Sequence, residues 1–312
     1  AGEKFDFTQF DYEVPVGQSG FKAFASASRL EFEIGKELRT NPVSMGNADT
    51  TEVGVKYPIQ RTNNQSVFLK TSIEKKEIYN ETTGLLTNDK TLENVKIGLD
   101  FEGKNIFQDR SLSGISVSGI FGDLDLSKVN SDYLNDQRDT GPKTHGDFNK
   151  VVLDFYHIHK FTDKINFKYY GSLQHASKNL DSSEKFSLGG VSGVRAYPSG
   201  EASGDEGHKL SLELQYDLSK PDMNFDLIGT LFYDYGKIRQ YKNASNITLT
   251  TPNEYSLSGW GVSFDLIANE RVKLNLGWAQ AIGDNDGKSS SGTNSDGRGG
   301  SSRAWFQVVF RF

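Results

Sequence analysis

The sequence predicts an all-β protein, and more narrowly a transmembrane antiparallel β-barrel. Three observations predict this fold: apolar and polar residues alternate with a period of two, short turns alternate with long polar connections, and the chain ends in an aromatic-rich strand. No stretch of the 312 residues approaches the roughly eighteen consecutive apolar residues of a membrane-spanning helix. A mean hydropathy of -0.55 is compatible with a barrel, because only alternate residues of each strand need to be apolar.

The alternation is clearest in segment 209–218. One face carries Leu210, Leu212, Leu214, Tyr216 and Leu218, and the other carries Lys209, Ser211, Glu213, Gln215 and Asp217. Segments 95–102, 165–172 and 271–278 alternate in the same way. One face of each strand therefore meets an apolar medium, and the opposite face meets water or polar groups.

The alternation predicts about thirteen strands. They cover 4–14, 21–35, 51–60, 65–79, 91–103, 111–122, 146–159, 164–175, 208–218, 224–236, 254–268, 271–281 and 302–312. Short turns (15–20, 61–64, 104–110, 160–163, 219–223 and 269–270) alternate with long polar connections (36–50, 80–90, 123–145, 176–207, 237–253 and 282–301). Bacterial outer-membrane barrels have short periplasmic turns and long extracellular loops, so the pattern predicts that fold and that location.

The order of turns and connections also predicts an incomplete wall. The first strand precedes a short turn and the last follows a long connection, so both run toward the periplasm. A barrel with both ends on that side has an even number of strands. We therefore expect N-terminal strands to be missing from this chain, or one strand to have been overlooked.

Composition excludes several classes of function. A net charge of -6 and a pI of about 5.5 argue against a nucleic-acid-binding protein, which needs a basic face. The chain has no cysteine, which excludes disulfides, thiolate metal sites and cysteine nucleophiles. We find no glycine-rich phosphate loop, no Gly-x-Ser-x-Gly elbow and no Ser/His/Asp set, so we predict no catalytic residue and no cofactor.

The last nine residues form an amphipathic strand that ends on an aromatic residue. Its outward face carries Phe306, Val308, Phe310 and Phe312. The segment resembles the terminal strand that the bacterial barrel-assembly machinery recognises. We therefore expect these four side chains to form the assembly signal, with outer-membrane lipid and the assembly machinery as partners.

Two motifs identify a family. The first is Val194-Arg195-Ala196-Tyr197, inside the connection 176–207, and the second is Phe232-Tyr233-Asp234-Tyr235-Gly236, two strands later. Together they resemble the two-partner secretion transporters (TpsB type) of the BamA-like superfamily, whose loop motif is Val-Arg-Gly-Tyr or Val-Arg-Gly-Phe and whose wall motif is Phe-x-Asp-x-Gly. Ala196 replaces the usual glycine. Because alanine allows fewer backbone conformations than glycine, the backbone at this position must be one that alanine can adopt.

The resemblance extends over essentially all 312 residues. It implies a 16-stranded barrel, with residues 1–312 as the outer-membrane translocation domain and the periplasmic POTRA domains outside this chain. It also implies that the motif loop folds back into the barrel, where Arg195 meets Asp234. An arginine fork suits a carboxylate better than lysine does, and loss of either partner strands a charge if the site is buried.

The remaining candidate sites are weak. His157 and His159 share a strand face, but no third metal ligand is visible, and they fit an aromatic band at the membrane interface. Asp284-Asn285-Asp286-Gly287 is similar to the start of a calcium loop, but the later ligands do not follow. We therefore expect no metal site.

The resemblance implies a pore that carries a secreted partner exoprotein, of the adhesin, haemolysin or contact-dependent toxin type, to the cell surface. The alternatives are an outer-membrane insertase of the BamA-like type, a barrel protease or lipase, and a passive porin. A barrel enzyme needs Asp, His and Ser clustered at the loop end, and a porin leaves the two motifs without a role. The insertase differs in its partner and its N-terminal domains.

Overall fold

The computed structural model describes residues 2–34, 44–268 and 271–311, and for residues 2–4 and 34 it describes only the backbone. Thirteen strands form one antiparallel sheet, and two further short strands pair with each other. The prediction of an all-β fold built on a large antiparallel sheet is confirmed.

The large sheet contains β1 (Gly2–Pro15), β2 (Lys22–Ile34), β3 (Ser44–Arg61), β4 (Gln65–Thr82), β5 (Leu85–Lys104), β6 (Ser111–Asp125), β7 (Gly146–Lys160), β8 (Ile165–Ala176), β11 (Glu206–Asp217), β12 (Phe225–Arg239), β13 (Glu254–Ala268), β14 (Val272–Ala281) and β15 (Ser302–Phe310). The small sheet contains β9 (Phe186–Ser187) and β10 (Ser203–Gly204). The connections include a helix, α1 (Asn130–Gln137), and a 3-10 helix (Ser182–Glu184).

Each strand of the large sheet pairs with its neighbour in the chain, and β8 pairs with β11. Within the described ranges, β1 pairs only with β2 and β15 only with β14, so the sheet is not closed. The expectation of an incomplete wall is confirmed.

The outer face of the sheet is apolar. The strand register aligns Leu214, Leu231, Val262 and Trp278 in one row across β11 to β14. These side chains are 36–51 % exposed in the chain alone. Exposing so many apolar side chains is unfavourable in water but not in lipid. The row is the exposed apolar face that the alternation predicts.

One predicted connection is wrong. Segment 80–90 is not a long loop, because β4 and β5 continue through it to a two-residue turn at Thr83 and Gly84. Both turn residues have positive φ (54° and 75°), as in the tight turns that suit the twist of a hairpin. Strands of 18 and 20 residues exceed the ~9–11 needed to cross a bilayer, so their ends project into water and need no apolar face.

The other predicted connections change less. Residues 44–50 belong to β3, whereas positions 36–43 lie outside the described residues, as do the predicted turn 269–270, position 35 and Phe312. The connection 123–145 contains α1, which sequence reasoning missed because the segment is short and polar.

Two apolar clusters occupy the inner face of the sheet. One combines Phe232, Ile238, Leu257 and Ala279 of the wall with Leu188, Val194, Ala196 and Tyr197 of the β8–β11 connection. The other combines Leu92, Leu124 and Phe148 of the wall with Leu180 of that connection. The β8–β11 connection therefore supplies side chains to both clusters.

Candidate functional site on the inner face

Residues 177–205, called the inner loop below, connect β8 to β11 and fold onto the inner face of the sheet. The strands β9 and β10 pair within the loop and close its base. Leu188 and Val194 are 0 % exposed and Ala196 is 1 % exposed. An exposed polar connection has no reason to bury apolar side chains, so the loop is packed against the wall.

Hydrogen bonds hold the tip of the inner loop in a compact turn. The N–H of Val194 donates to the carbonyl of Leu188 at 2.7 Å, and the N–H of Gly190 donates to the carbonyl of Tyr197 at 3.1 Å. A Cβ atom at Gly193 would lie 1.9 Å from the Leu188 carbonyl oxygen, which no side chain permits. The turn fixes the position of Arg195, two residues after this glycine.

Arg195 contacts Asp234 on β12. Its Nε and Nη2 atoms donate to the two carboxylate oxygens of Asp234 at 2.9 Å and 2.7 Å, and its backbone N–H donates to the same carboxylate at 3.0 Å. The two side chains are 8 % and 1 % exposed. This is the two-pronged geometry that an arginine forms with a carboxylate, in a place with little water.

A second carboxylate, Glu213 on β11, also accepts from Arg195. The Nη1 atom lies 2.8 Å from Glu213 Oε1, and the Tyr170 hydroxyl donates to that oxygen at 3.0 Å. Sequence reasoning placed Glu213 on the polar face of its strand but gave it no role. The available signal was its place on the same inward face as the wall motif, one strand away.

The other two residues of the wall motif make room for the loop and support it. The Phe232 ring lies under the guanidinium, with Arg195 Cζ 3.5 Å from the ring centroid. A Cβ atom at Gly236 would lie 2.5 Å from Leu188 Cδ2 of the loop. Each fixed position of Phe-x-Asp-x-Gly thus contacts the inner loop.

Ala196 fits without backbone strain. It is not among the residues with positive φ, so its backbone has a conformation that alanine adopts as readily as glycine. The wall opposite is Gly259, where an added Cβ atom would lie 2.7 Å from Ala196 Cβ. A glycine on the wall therefore leaves space for the methyl group on the loop.

Tyr197 is buried against the first apolar cluster, and its hydroxyl has no hydrogen-bond partner among the described residues. Burial raises the pKa of this hydroxyl to about 12. The ring therefore supplies apolar packing, and the hydroxyl adds no hydrogen bond to the described residues.

The inner loop also joins the neighbouring connections. Asp205 is fully buried and accepts hydrogen bonds from the backbone N–H groups of Leu180 (3.1 Å) and Lys242 (2.8 Å). Burial raises the pKa of Asp205, although Lys185 at 3.0 Å opposes this. Glu201 accepts from Asn285 Nδ2 and from the Ser295 N–H, each at 2.6 Å.

The inner face of β3 to β5 is charged. Lys70 lies 3.5 Å from Glu52, and Lys76 lies 3.3 Å from Glu74. Asn94 donates to Glu74 at 2.9 Å. Charged side chains of both signs cover this part of the sheet. In contrast, β11 to β14 carry the small and apolar residues that hold the loop.

The remaining predicted site residues lie apart from this site. On β15, Phe306 and Phe310 are 65 % and 61 % exposed and Val308 is half-buried, on the outer face. His157 stacks on Tyr169 with ring centroids 4.9 Å apart.

Among the described residues, no group of three or more potential ligands is placed to hold a metal ion. Across the same parts of the chain, no helix has the length and apolar character needed to span a membrane.

Comparison with known proteins identifies a family. The model of the family described as "Haemolysin secretion/activation protein ShlB/FhaC/HecB" matches residues 6–266. The "Heme/hemopexin transporter protein HuxB" of Haemophilus influenzae (strain 86-028NP) is 26 % identical over 278 residues, which are 89 % of this chain and 48 % of that protein. The chain thus spans about half the length of the curated relatives it matches.

Solved structures share the fold. CdiB from Escherichia coli superposes with a TM-score of 0.76 at 15 % identity, over 97 % of this chain and 53 % of that one. BamA from Haemophilus ducreyi lacking POTRA domains 1–3 gives a TM-score of 0.62 at 11 % identity, over 97 % and 62 % of the two chains.

Proposed function

Since the chain belongs to the haemolysin secretion/activation family ShlB/FhaC/HecB, we propose that it forms the wall of an outer-membrane pore that translocates a secreted partner exoprotein to the cell surface. Members of this family are outer-membrane β-barrel proteins, and this chain has their fold and location. Residues 1–312 act as the translocation domain in this proposal, and the POTRA domains of the family lie outside them.

One observation carries the proposal: the inner loop lies against the inner face of the wall and is held there by a buried ion pair. Arg195 binds Asp234 and Glu213 on two adjacent strands. A loop in that position obstructs the interior of a barrel. The same loop opens a path when it moves, without a nucleotide or a catalytic residue.

The physical chemistry suits a gate. Removing one partner of a buried ion pair strands a charge at a cost of about 3–5 kcal/mol. The pair therefore holds the loop at rest, but new contacts with a partner chain can offset a cost of that size. In this mechanism, folding of the exported chain outside the cell supplies the direction of transport.

The test is Arg195→Ala in the full-length protein. We expect export of the cognate partner to change and the steady conductance of the purified pore in planar bilayers to rise. The matched control is Arg239→Ala, since this arginine lies on the outer face of β12 and pairs with Glu206 and Glu254. Unchanged export at normal barrel levels would contradict the proposal that Arg195 holds the inner loop in place.

The partner is an adhesin, a haemolysin or a contact-dependent toxin in this proposal. Transporters of this kind are usually encoded beside their partners, so the neighbouring gene identifies the cargo. Outer-membrane lipid on the apolar outer face and the barrel-assembly machinery at Phe306, Val308, Phe310 and Phe312 are the other partners.

The insertase branch of the superfamily is the alternative function. Crosslinking separates the two: a transporter crosslinks to one secreted exoprotein, and an insertase crosslinks to nascent barrels. We propose that the chain is not an enzyme, and purified protein without protease or lipase activity is the expected result.

A further inference from the structure

A second group of ion pairs lies in the N-terminal part of the inner loop, before the Arg195 turn. The 3-10 helix of the loop carries Glu184, and the residue before that helix is Asp181. Three lysines face these two carboxylates from the wall: Lys76 on β4, Lys90 on β5 and Lys150 on β7. The wall partners Lys76 and Lys90 stand 108 and 91 residues before their loop partners, so the contacts join distant parts of the chain.

Glu184 is the centre of this group. Its two carboxylate oxygens lie 2.6 Å from Lys76 Nζ and 2.7 Å from Lys150 Nζ, and its side chain is 3 % exposed. The backbone carbonyl of Glu184 accepts from Lys150 at 2.8 Å and from Gln174 at 3.0 Å. A surface pair has little effect, but a carboxylate this buried with two cations is fixed in place.

Asp181 adds a one-to-one pair. Its Oδ2 atom lies 2.7 Å from Lys90 Nζ, and its Oδ1 atom accepts from the N–H of Ser183 at 2.9 Å. The same carboxylate thus caps the 3-10 helix and binds the wall. Leu180, directly before it, is buried in the second apolar cluster.

The wall does not neutralise its own lysines. Near Lys76, Lys90 and Lys150 the ion pairs within the wall include one carboxylate, Glu74, which lies 3.3 Å from Lys76. Without Asp181 and Glu184, Lys90 and Lys150 would lose their ion-pair partners among the described residues, and Lys76 would share Glu74 with Lys96. The loop carboxylates are therefore required for the charge balance of this region.

We infer that Lys76, Lys90 and Lys150 form a second anchor of the inner loop, in which Asp181 and Glu184 are positioning residues that keep the Arg195 turn seated. The two anchors have opposite polarity: the loop brings the cation to β11 and β12, and it brings the anions to β4, β5 and β7. The loop is held at two places, so each anchor contributes separately to keeping it seated. The consequence for opening of the pore rests on the proposed function, but the anchor itself does not.

The experiment measures the seating of the loop directly. The chain has no cysteine, and the buried Ser187 hydroxyl has no hydrogen-bond partner among the described residues, so Ser187→Cys is a nearly isosteric probe of the loop. The rate of labelling by a membrane-impermeant maleimide is measured on cells carrying the full-length protein. We expect Glu184→Gln and Lys150→Gln each to raise the rate about tenfold or more, since the first leaves Lys150 without its carboxylate and the second leaves the buried Glu184 with one cation in place of two.

Two controls separate the anchor from general damage. Lys70→Gln removes another inner-face ion pair of β4 that touches only the wall, and we expect the parent rate. Glu184→Asp keeps the charge, and we expect a rate close to that of the parent. The double variant Glu184→Gln/Lys150→Gln should label no faster than the faster single variant, because the two changes remove one shared contact.

Parent-like labelling of both single variants, or equal acceleration by Lys70→Gln, would overturn the inference. Export is scored separately in the same strains. A protein that exports nothing but shows the expected labelling pattern contradicts the proposed function and leaves the anchor in place.

Discussion

The inner face of the sheet has two halves that hold the same loop by different means. On β11 to β14 it is small and apolar, with Gly236, Leu257, Gly259 and Ala279 beneath the loop. On β3 to β5 it is charged, with Lys70 paired to Glu52 and Lys96 paired to Glu74 across neighbouring strands. The first half fits the loop by shape around one buried ion pair, and the second fits it by charge.

The two halves hold the loop through forces that act over different distances. Shape complementarity is lost abruptly when the surfaces separate, because packing contacts act over short distances. Ion pairs are different, because water can replace their partners once the site opens. The apolar half therefore favours a single seated position, and the charged half can exchange one set of carboxylates for another.

The largest expected effect is on the ion pair in the apolar half. Asp234→Ala leaves Arg195 buried with only Glu213, and we expect the seated loop to lose about 3–5 kcal/mol. The measurement is the unfolding temperature of the purified barrel together with its conductance. The control is Asp100→Ala, an inner-face carboxylate that accepts from Ser116 on the wall, and a loss of equal size there would contradict a special role for Asp234.

Overfilling the shape-matched half is expected to have the next largest effect. Gly236→Val places side-chain atoms where Leu188 now packs, and we expect a loss of about 1–3 kcal/mol in loop seating. Gly119→Val is the matched control, since the nearest atom to its added Cβ lies at 3.6 Å. The comparison fails if both variants show the same change in unfolding temperature.

Acid is expected to act on the charged half. Although burial pushes the pKa of Glu184 upward, Lys150 and Lys76 outweigh it and hold that pKa below its usual value of 4.5. A carboxyl with a lowered pKa contributes stability above pH ~4.5 and loses it as the pH falls through the folded-state value. The unfolding-temperature gap between the parent and Glu184→Gln should therefore be constant above pH ~4.5 and shrink below it. A gap that widens in acid would contradict the assignment.

The smallest expected effect is at Tyr197. Its buried hydroxyl lacks a partner among the described residues, so Tyr197→Phe should keep the loop seated and change the unfolding free energy by less than about 1 kcal/mol. Export and conductance should equal those of the parent. A marked loss would reveal a polar contact of the hydroxyl that the seated loop does not show.

The strand wall was predictable because lipid and water act on alternate residues. The strand Glu254–Ala268 has the predicted bounds, because apolar residues alternate with polar residues or glycine along most of its length. The ends of β4 and β5 escaped prediction because strands that project into water on both faces have no apolar periodicity. The turn at Thr83 and Gly84 was not predicted, because it lies in a polar segment that has the hydropathy of a long connection.

The site was predictable only where family motifs mark it. Arg195 and Asp234 were paired through the resemblance, and the structure brings them into contact. Glu213, Lys90 and Lys150 were missed, because their partners are distant in the chain and an inner-face charge looks the same whether it meets water or a loop. The folded position of the inner loop identifies these partners.

The buried carboxylate of Asp205 has one further consequence. It receives N–H groups from both the inner loop and the β12–β13 connection, while Glu201 links the loop to the β14–β15 connection. Because these hydrogen bonds join the inner loop to both connections, the loop cannot move independently of them. Movement of the inner loop therefore requires the β12–β13 and β14–β15 connections to move as well, and we expect a ligand that binds either connection to hold the loop in place.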